Sequence, residues 1–113
     1  MRESAFEKSQ IYALKTSVEF ANGSIVSKQV TKSAMGNVTL FAFDEGQGLS
    51  EHTAPFDALV VVIEGTANVT IAKENINVQE GEMVIMPANI PHALKAEVKF
   101  KMLLVMIKDQ GKN

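Results

Sequence analysis

No cysteine occurs among the 113 residues, which removes disulfides, thiolate nucleophiles and every zinc site built on sulfur. No apolar run approaches the ~18 residues of a membrane-spanning helix, and the opening stretch MRESAFEKSQIYALK holds nothing long enough for a secretory signal. The expectation is a cytoplasmic chain with no membrane partner. A basic patch is missing too. Eleven Lys and Arg against 13 Asp and Glu leave a net charge of -2, and the lysines are dispersed, so a nucleic-acid partner is not expected either. No nucleophile elbow, phosphate-binding glycine loop or paired-carboxylate arrangement is visible, and Gly46-Gln47-Gly48 is too short for a dinucleotide fingerprint. Histidine is confined to two positions, His52 and His92.

What is present reads as strands. The length suits one domain with a core of its own over residues 1–113. Apolar residues come mostly in short β-branched runs at 24–32, 37–43, 58–64, 67–72, 76–78, 82–87, 92–96 and 100–107. Turn residues separate them at Gly23, Asn37, Gly46/Gly48, Gly65, Lys73 to Asn75 and Glu80-Gly81, the pattern of an all-β sandwich or barrel. Residues 1–23 form an N-terminal arm ahead of a barrel over 24–107. Ser4 and Glu7 have capping-box spacing, but so little periodic sequence follows that an irregular arm is expected.

Two segments, ALVVVIE at 58–64 and MLLVMI at 102–107, do not alternate apolar with polar residues, so both of their faces must be covered. One face can line a barrel interior. The other needs a second sheet or a second subunit, and Phe6, Ile11 and Leu14 give the arm apolar residues suited to such packing. A homodimer is expected.

The glycine, proline and histidine spacing resembles that of the cupin superfamily, in particular the small single-domain cupins of the type-2 conserved barrel family. Its first motif reads Gly-x5-His-x-His-x3-4-Glu-x6-Gly; Gly46, His52 and Gly65 fall in register, while Ala54 and Ala58 stand at the second His and the Glu. Its second motif reads Gly-x5-Pro-x-Gly-x2-His-x3-Asn; Gly81, Pro87 and His92 match, whereas Asn89 and Ala96 replace the last Gly and the Asn. The resemblance implies a double-stranded β-helix, or jelly-roll-like barrel, and short stretches between its motifs. It does not imply one activity, because such folds host isomerases, oxygenases, decarboxylases, sensors and storage proteins.

Cupins that bind metal usually supply three histidines and a glutamate. This chain keeps His52 and His92. Two neutral imidazoles make a poor permanent site for zinc or non-haem iron, which want a third protein ligand. Asp57 is the nearest carboxylate, but along a regular strand its parity points it away from the row 52, 54, 58 unless Pro55 breaks the strand. The expected pocket is lined by His52, Ala54, Ala58, His92 and Met102, with Met83 or Met86 added and Met106 as the alternative to Met102 depending on register, and is roomier and more apolar than a metal-binding one. Three readings follow. The leading one is a stand-alone barrel that binds a small, partly apolar molecule without a strong metal requirement, with no cofactor certain. The second is a metal-dependent oxygenase or isomerase in which His52, His92 and Asp57 or a substrate oxygen hold a weakly bound divalent ion (Fe, Ni, Mn or Zn). The third is a structural dimer with a vestigial pocket.

Overall fold

The computed structural model describes residues 6–108, and within them the chain is built from strands. In chain order these are β1 (Ile25–Ser33), β2 (Gly36–Phe43), β3 (Gly48–His52), β4 (Phe56–Glu64), β5 (Thr66–Ile71), β6 (Glu74–Gln79), β7 (Met83–Met86), β8 (His92–Lys95) and β9 (Phe100–Lys108). They form two antiparallel sheets, a five-stranded one ordered β1-β2-β9-β4-β7 and a four-stranded one ordered β3-β8-β5-β6. This is the expected all-β double-stranded β-helix. No helix among the described residues is long and apolar enough to cross a membrane.

Three details depart from the sequence reading; the first is that Glu74 and Asn75, read as turn residues, open β6 and pair with Ile71 and Thr70. Asn37 is not a turn. It pairs with Lys32 and Met106 inside β2, and the chain reverses at Ala34-Met35 instead, where the Met35 N–H donates to the Ser33 hydroxyl at 3.1 Å. Residues 48–52 form a strand that apolar runs did not reveal, because β3 is largely exposed and carries one large apolar residue, Leu49.

The main core lies between the sheets. Val60 and Val62 of β4, Val69 of β5, Leu94 of β8 and Met102 of β9 are buried there, and Phe43 stacks on Phe100 with centroids 4.6 Å apart. Alternation then turns Leu40 and Ala42 of β2 to the outer face, where they are fully buried with Val18 beneath the arm. From Phe6 on, the arm is irregular apart from one 3-10 turn, Leu14–Thr16; Ser4 lies outside the described residues.

Lys101 fastens the arm to the barrel. Its ammonium is buried, donates to the Lys15 carbonyl, lies 3.6 Å from the Glu64 carboxylate and sits 5.0 Å above the Phe20 ring. A buried lysine needs such partners, because an unpaired ammonium out of water is strongly destabilising. At the end of β4, Gly65 has φ +79, and a Cβ there would approach the Lys99 carbonyl oxygen to 2.5 Å. Only glycine fits this turn.

Candidate functional site

His52 and His92 sit opposite one another on β3 and β8. Their rings meet edge to face with centroids 4.5 Å apart. His92 is buried, whereas His52 is exposed at the mouth. Each Nδ1 is held by a backbone carbonyl two residues earlier, His52 by Ser50 at 2.7 Å and His92 by Ile90 at 3.1 Å. A carbonyl only accepts, so both Nδ1 atoms carry the proton in the neutral rings, and both Nε2 atoms keep a bare lone pair.

Behind the rings lies a cavity of about 50 Å³. Ala54, Ala58, Met86, Met102 and Met106 line it, with Leu49, Leu94 and Leu104 completing the wall. The structure thus brings together all five residues expected to form the pocket. Sequence parity reached this result by an incomplete route. The strand does break at Thr53–Pro55, so His52 belongs to β3 and Ala58 to β4, yet both still face inwards. The register selects Met86 over Met83, which is 64% exposed on the outer face. Leu49 was not anticipated, since its strand was not.

Ala54 and Ala58 do not leave a large chamber. Ala58 pairs with Met86 on one side and Met106 on the other, and these side chains wall the space that a longer residue at position 58 would enter. At about 50 Å³ the cavity is far below the ~300–1,000 Å³ of pockets for drug-sized ligands. The expected roominess is corrected accordingly, while the apolar character holds.

The remaining polar residues close loops. Asp57 faces away from the cavity because β4 begins at Phe56 and fixes its parity, and its carboxylate accepts the Ala88 N–H at 2.9 Å. Asn89, where the family motif has glycine, adopts φ +64, a region that asparagine tolerates better than most residues. Its N–H donates to the Ala54 carbonyl at 2.8 Å, tying the two motif loops together. Among the described residues no group of three or more His, Cys, Asp or Glu is placed to hold a metal ion. The divalent site typical of metal-binding cupins therefore does not fit the side chains present.

Burial holds the His92 pKa below its ordinary 6.5; the bond to Ile90 opposes this shift, and the charge of His52 adds to it. In the window below 6.5 the unfolded chain then binds more protons than the folded one. The stability contributed by neutral His92 is present above 6.5 and is lost as pH falls through that value towards the lower folded-state pKa. Urea midpoints measured from about pH 7.5 to 5.5 should fall, and His92→Gln should flatten that decline. Equal slopes in the two proteins would contradict the burial argument.

The sequence model described as "Cupin domain" matches residues 39–108. The chain belongs to the cupin family. Among solved structures, this cupin resembles a conserved protein of unknown function from Streptococcus pyogenes, at 35% identity and TM-score 0.87 over 93% of this chain and 92% of that one. It also resembles a cupin 2 conserved barrel domain protein from Leptotrichia buccalis, at 40% identity and TM-score 0.84, over 86% of this chain but 47% of that one. A salicylate 1,2-dioxygenase mutant from Pseudoaminobacter salicylatoxidans shares the fold alone, at 16% identity and TM-score 0.68 over 74% of this chain and 26% of that one. No curated protein matches the chain.

Proposed function

We propose that this cupin is a small-ligand-binding barrel, working as a homodimer, whose binding element is the pair of bare Nε2 atoms at the mouth of a methionine-walled cavity. The observation that carries the reading is the pair of Nδ1 bonds to Ser50 and Ile90, which leaves both Nε2 atoms free as acceptors. An acceptor pair above an apolar floor suits a molecule with a hydrogen-bond donor at one end and a short apolar group at the other. About 50 Å³ admits only a few non-hydrogen atoms, so the rest of such a ligand extends past exposed His52 into solvent. Methionine side chains can repack around differing shapes, which widens the range of apolar ends accepted.

The reading needs no divalent metal. Protein purified without tag or chelator should carry far less than one Fe, Ni, Mn or Zn per chain by elemental analysis. About one such ion per chain, lost in a His52→Ala/His92→Ala variant, would replace this reading with that of a metal-dependent enzyme. Binding itself is tested by screening small amphiphilic fragments while following the methyl resonances of Met86, Met102 and Met106. Shifts confined to other surfaces would refute the pocket.

A further inference from the structure

We infer that the His52–His92 cavity is a site for a soft monovalent metal ion, Cu(I), held by the two imidazoles and the thioethers of the methionine wall. This rests on the reading above, that the paired Nε2 atoms are the binding element, and names a second class of ligand for them. The donor inventory carries the inference. Three of the chain's six methionines, Met86, Met102 and Met106, line this one small cavity with both of its histidines. The other lining residues are Ala and Leu, with no side-chain oxygen. Asp57 is engaged by Ala88 on the far side of β4, and Glu64 by Lys101.

Such a set discriminates among metals. Mg, Ca and Mn need oxygen ligands, and non-haem iron wants a carboxylate beside two histidines. Zinc normally takes at least three nitrogen, thiolate or carboxylate ligands. Thioether sulfur with imidazole is a soft, neutral set of the kind that selects Cu(I). Charge points the same way, because desolvating an ion in an apolar cavity costs roughly as the square of its charge, and no anionic ligand offsets a second positive charge here. The imidazoles are already arranged for coordination. A ligating histidine ordinarily donates its other ring N–H to a carbonyl or carboxylate, and both rings here donate Nδ1–H to Ser50 and Ile90. No tautomer change is needed before Nε2 binds. The cavity's size suits an ion stripped of water and wrapped by side chains rather than a hydrated complex.

The test is an anaerobic titration in which tag-free protein competes for Cu(I) with the chromophoric chelator bicinchoninate under ascorbate. Wild type should withdraw one Cu(I) per chain. Met86→Leu/Met106→Leu keeps side-chain volume nearly constant and should weaken binding by about 100-fold or more, since even an outer-shell partner of a metal ligand is typically worth 10–100-fold. His52→Ala should weaken it as well. X-ray absorption of the wild-type complex should show both nitrogen and sulfur neighbours, a measurement that stands even if the double variant folds poorly. Wild type that leaves the chelator's colour unchanged, or a copper edge with nitrogen alone, overturns the inference. If Met86→Leu/Met106→Leu competes like wild type while His52→Ala does not, the thioether site falls and the histidine pair survives as a binding element. If neither variant changes the competition, copper sits elsewhere on the chain and this inference falls, while small-ligand binding is decided separately by the methionine methyl shifts.

Discussion

Light scattering coupled to gel filtration, at low micromolar concentration, should return twice the 12.3 kDa mass of one chain. The reason lies on the outer face of the five-stranded sheet. The arm covers one half of that face, over Leu40, Ala42 and Leu103. On the other half, Leu59 pairs with Ile85 and Val105, one apolar row across β9, β4 and β7, and Val61 pairs with Met83 beside it. Met83, Ile85 and Ile107 are each more than half exposed. A contiguous patch of this kind marks an interface, and covering it gains about 25 cal/mol per Å² of apolar area. Ile85→Glu is a selective probe. Glutamate at an exposed position costs one chain little, but in a dimer it would bury an unpaired carboxylate, at a cost of about 3 kcal/mol or more. That weakens association by roughly a hundredfold or more, and the variant should elute as a single chain. Wild-type melting temperature should rise with protein concentration and that of the variant should not. A monomeric wild type would mean that the row tolerates water, and the assembly argument would fail.

Much of this architecture was legible because burial on both faces leaves a mark in sequence. The unbroken runs at 58–64 and 102–107 became the two central strands β4 and β9, and the space beneath the arm accounts for part of their second face. The exposed strand β3 left no such mark, since Ser50, Glu51 and His52 carry no apolar pattern and only their pairing with β8 makes them a strand. At the site, motif spacing identified His52, Ala54, Ala58 and His92 as neighbours although they come from three strands and a loop. Spacing did not reveal how small the cavity is. That depends on Met86 and Met106 flanking Ala58 from adjacent strands, a register relation between residues far apart in the chain. Parity alone pointed Asp57 outward and against its use as a third ligand, but sequence could not name its partner, the N–H of Ala88 in a loop 31 positions away. The link between Lys101 and the arm was equally hidden, because a lysine in an apolar run reads as solvent-facing until its partners are seen.

Installing Ala54→His together with Ala58→Glu should make the stability of the barrel depend on divalent ions. Both positions line the cavity beside His52 and His92, so the double variant would present three imidazoles and one carboxylate to a common space. Without metal the change should be harmful. Ala58 is only 4% exposed and lies between Met86 and Met106, so a glutamate there displaces thioether packing and places a carboxyl group in apolar surroundings. A buried polar group with no partner costs on the order of 2–7 kcal/mol, and overpacking adds about 1–3 kcal/mol. The apo variant should therefore melt well below wild type, or fold only partly. Metal reverses the sign. Ni(II), Mn(II) or Zn(II) at a thousandfold excess over its dissociation constant returns about 4 kcal/mol by binding the folded state, enough to offset much of the cost and raise the melting temperature by many degrees. The ligand count predicts an order among variants as well: Ala54→His alone supplies a third imidazole, which suits zinc, while iron or manganese needs the glutamate too. Melting curves for wild type, each single variant and the double variant, with and without each ion, would display that order. If the double variant melts at the same temperature with and without divalent metal, positions 54 and 58 do not converge on the histidine pair, and the cavity geometry on which the binding proposals rest is wrong.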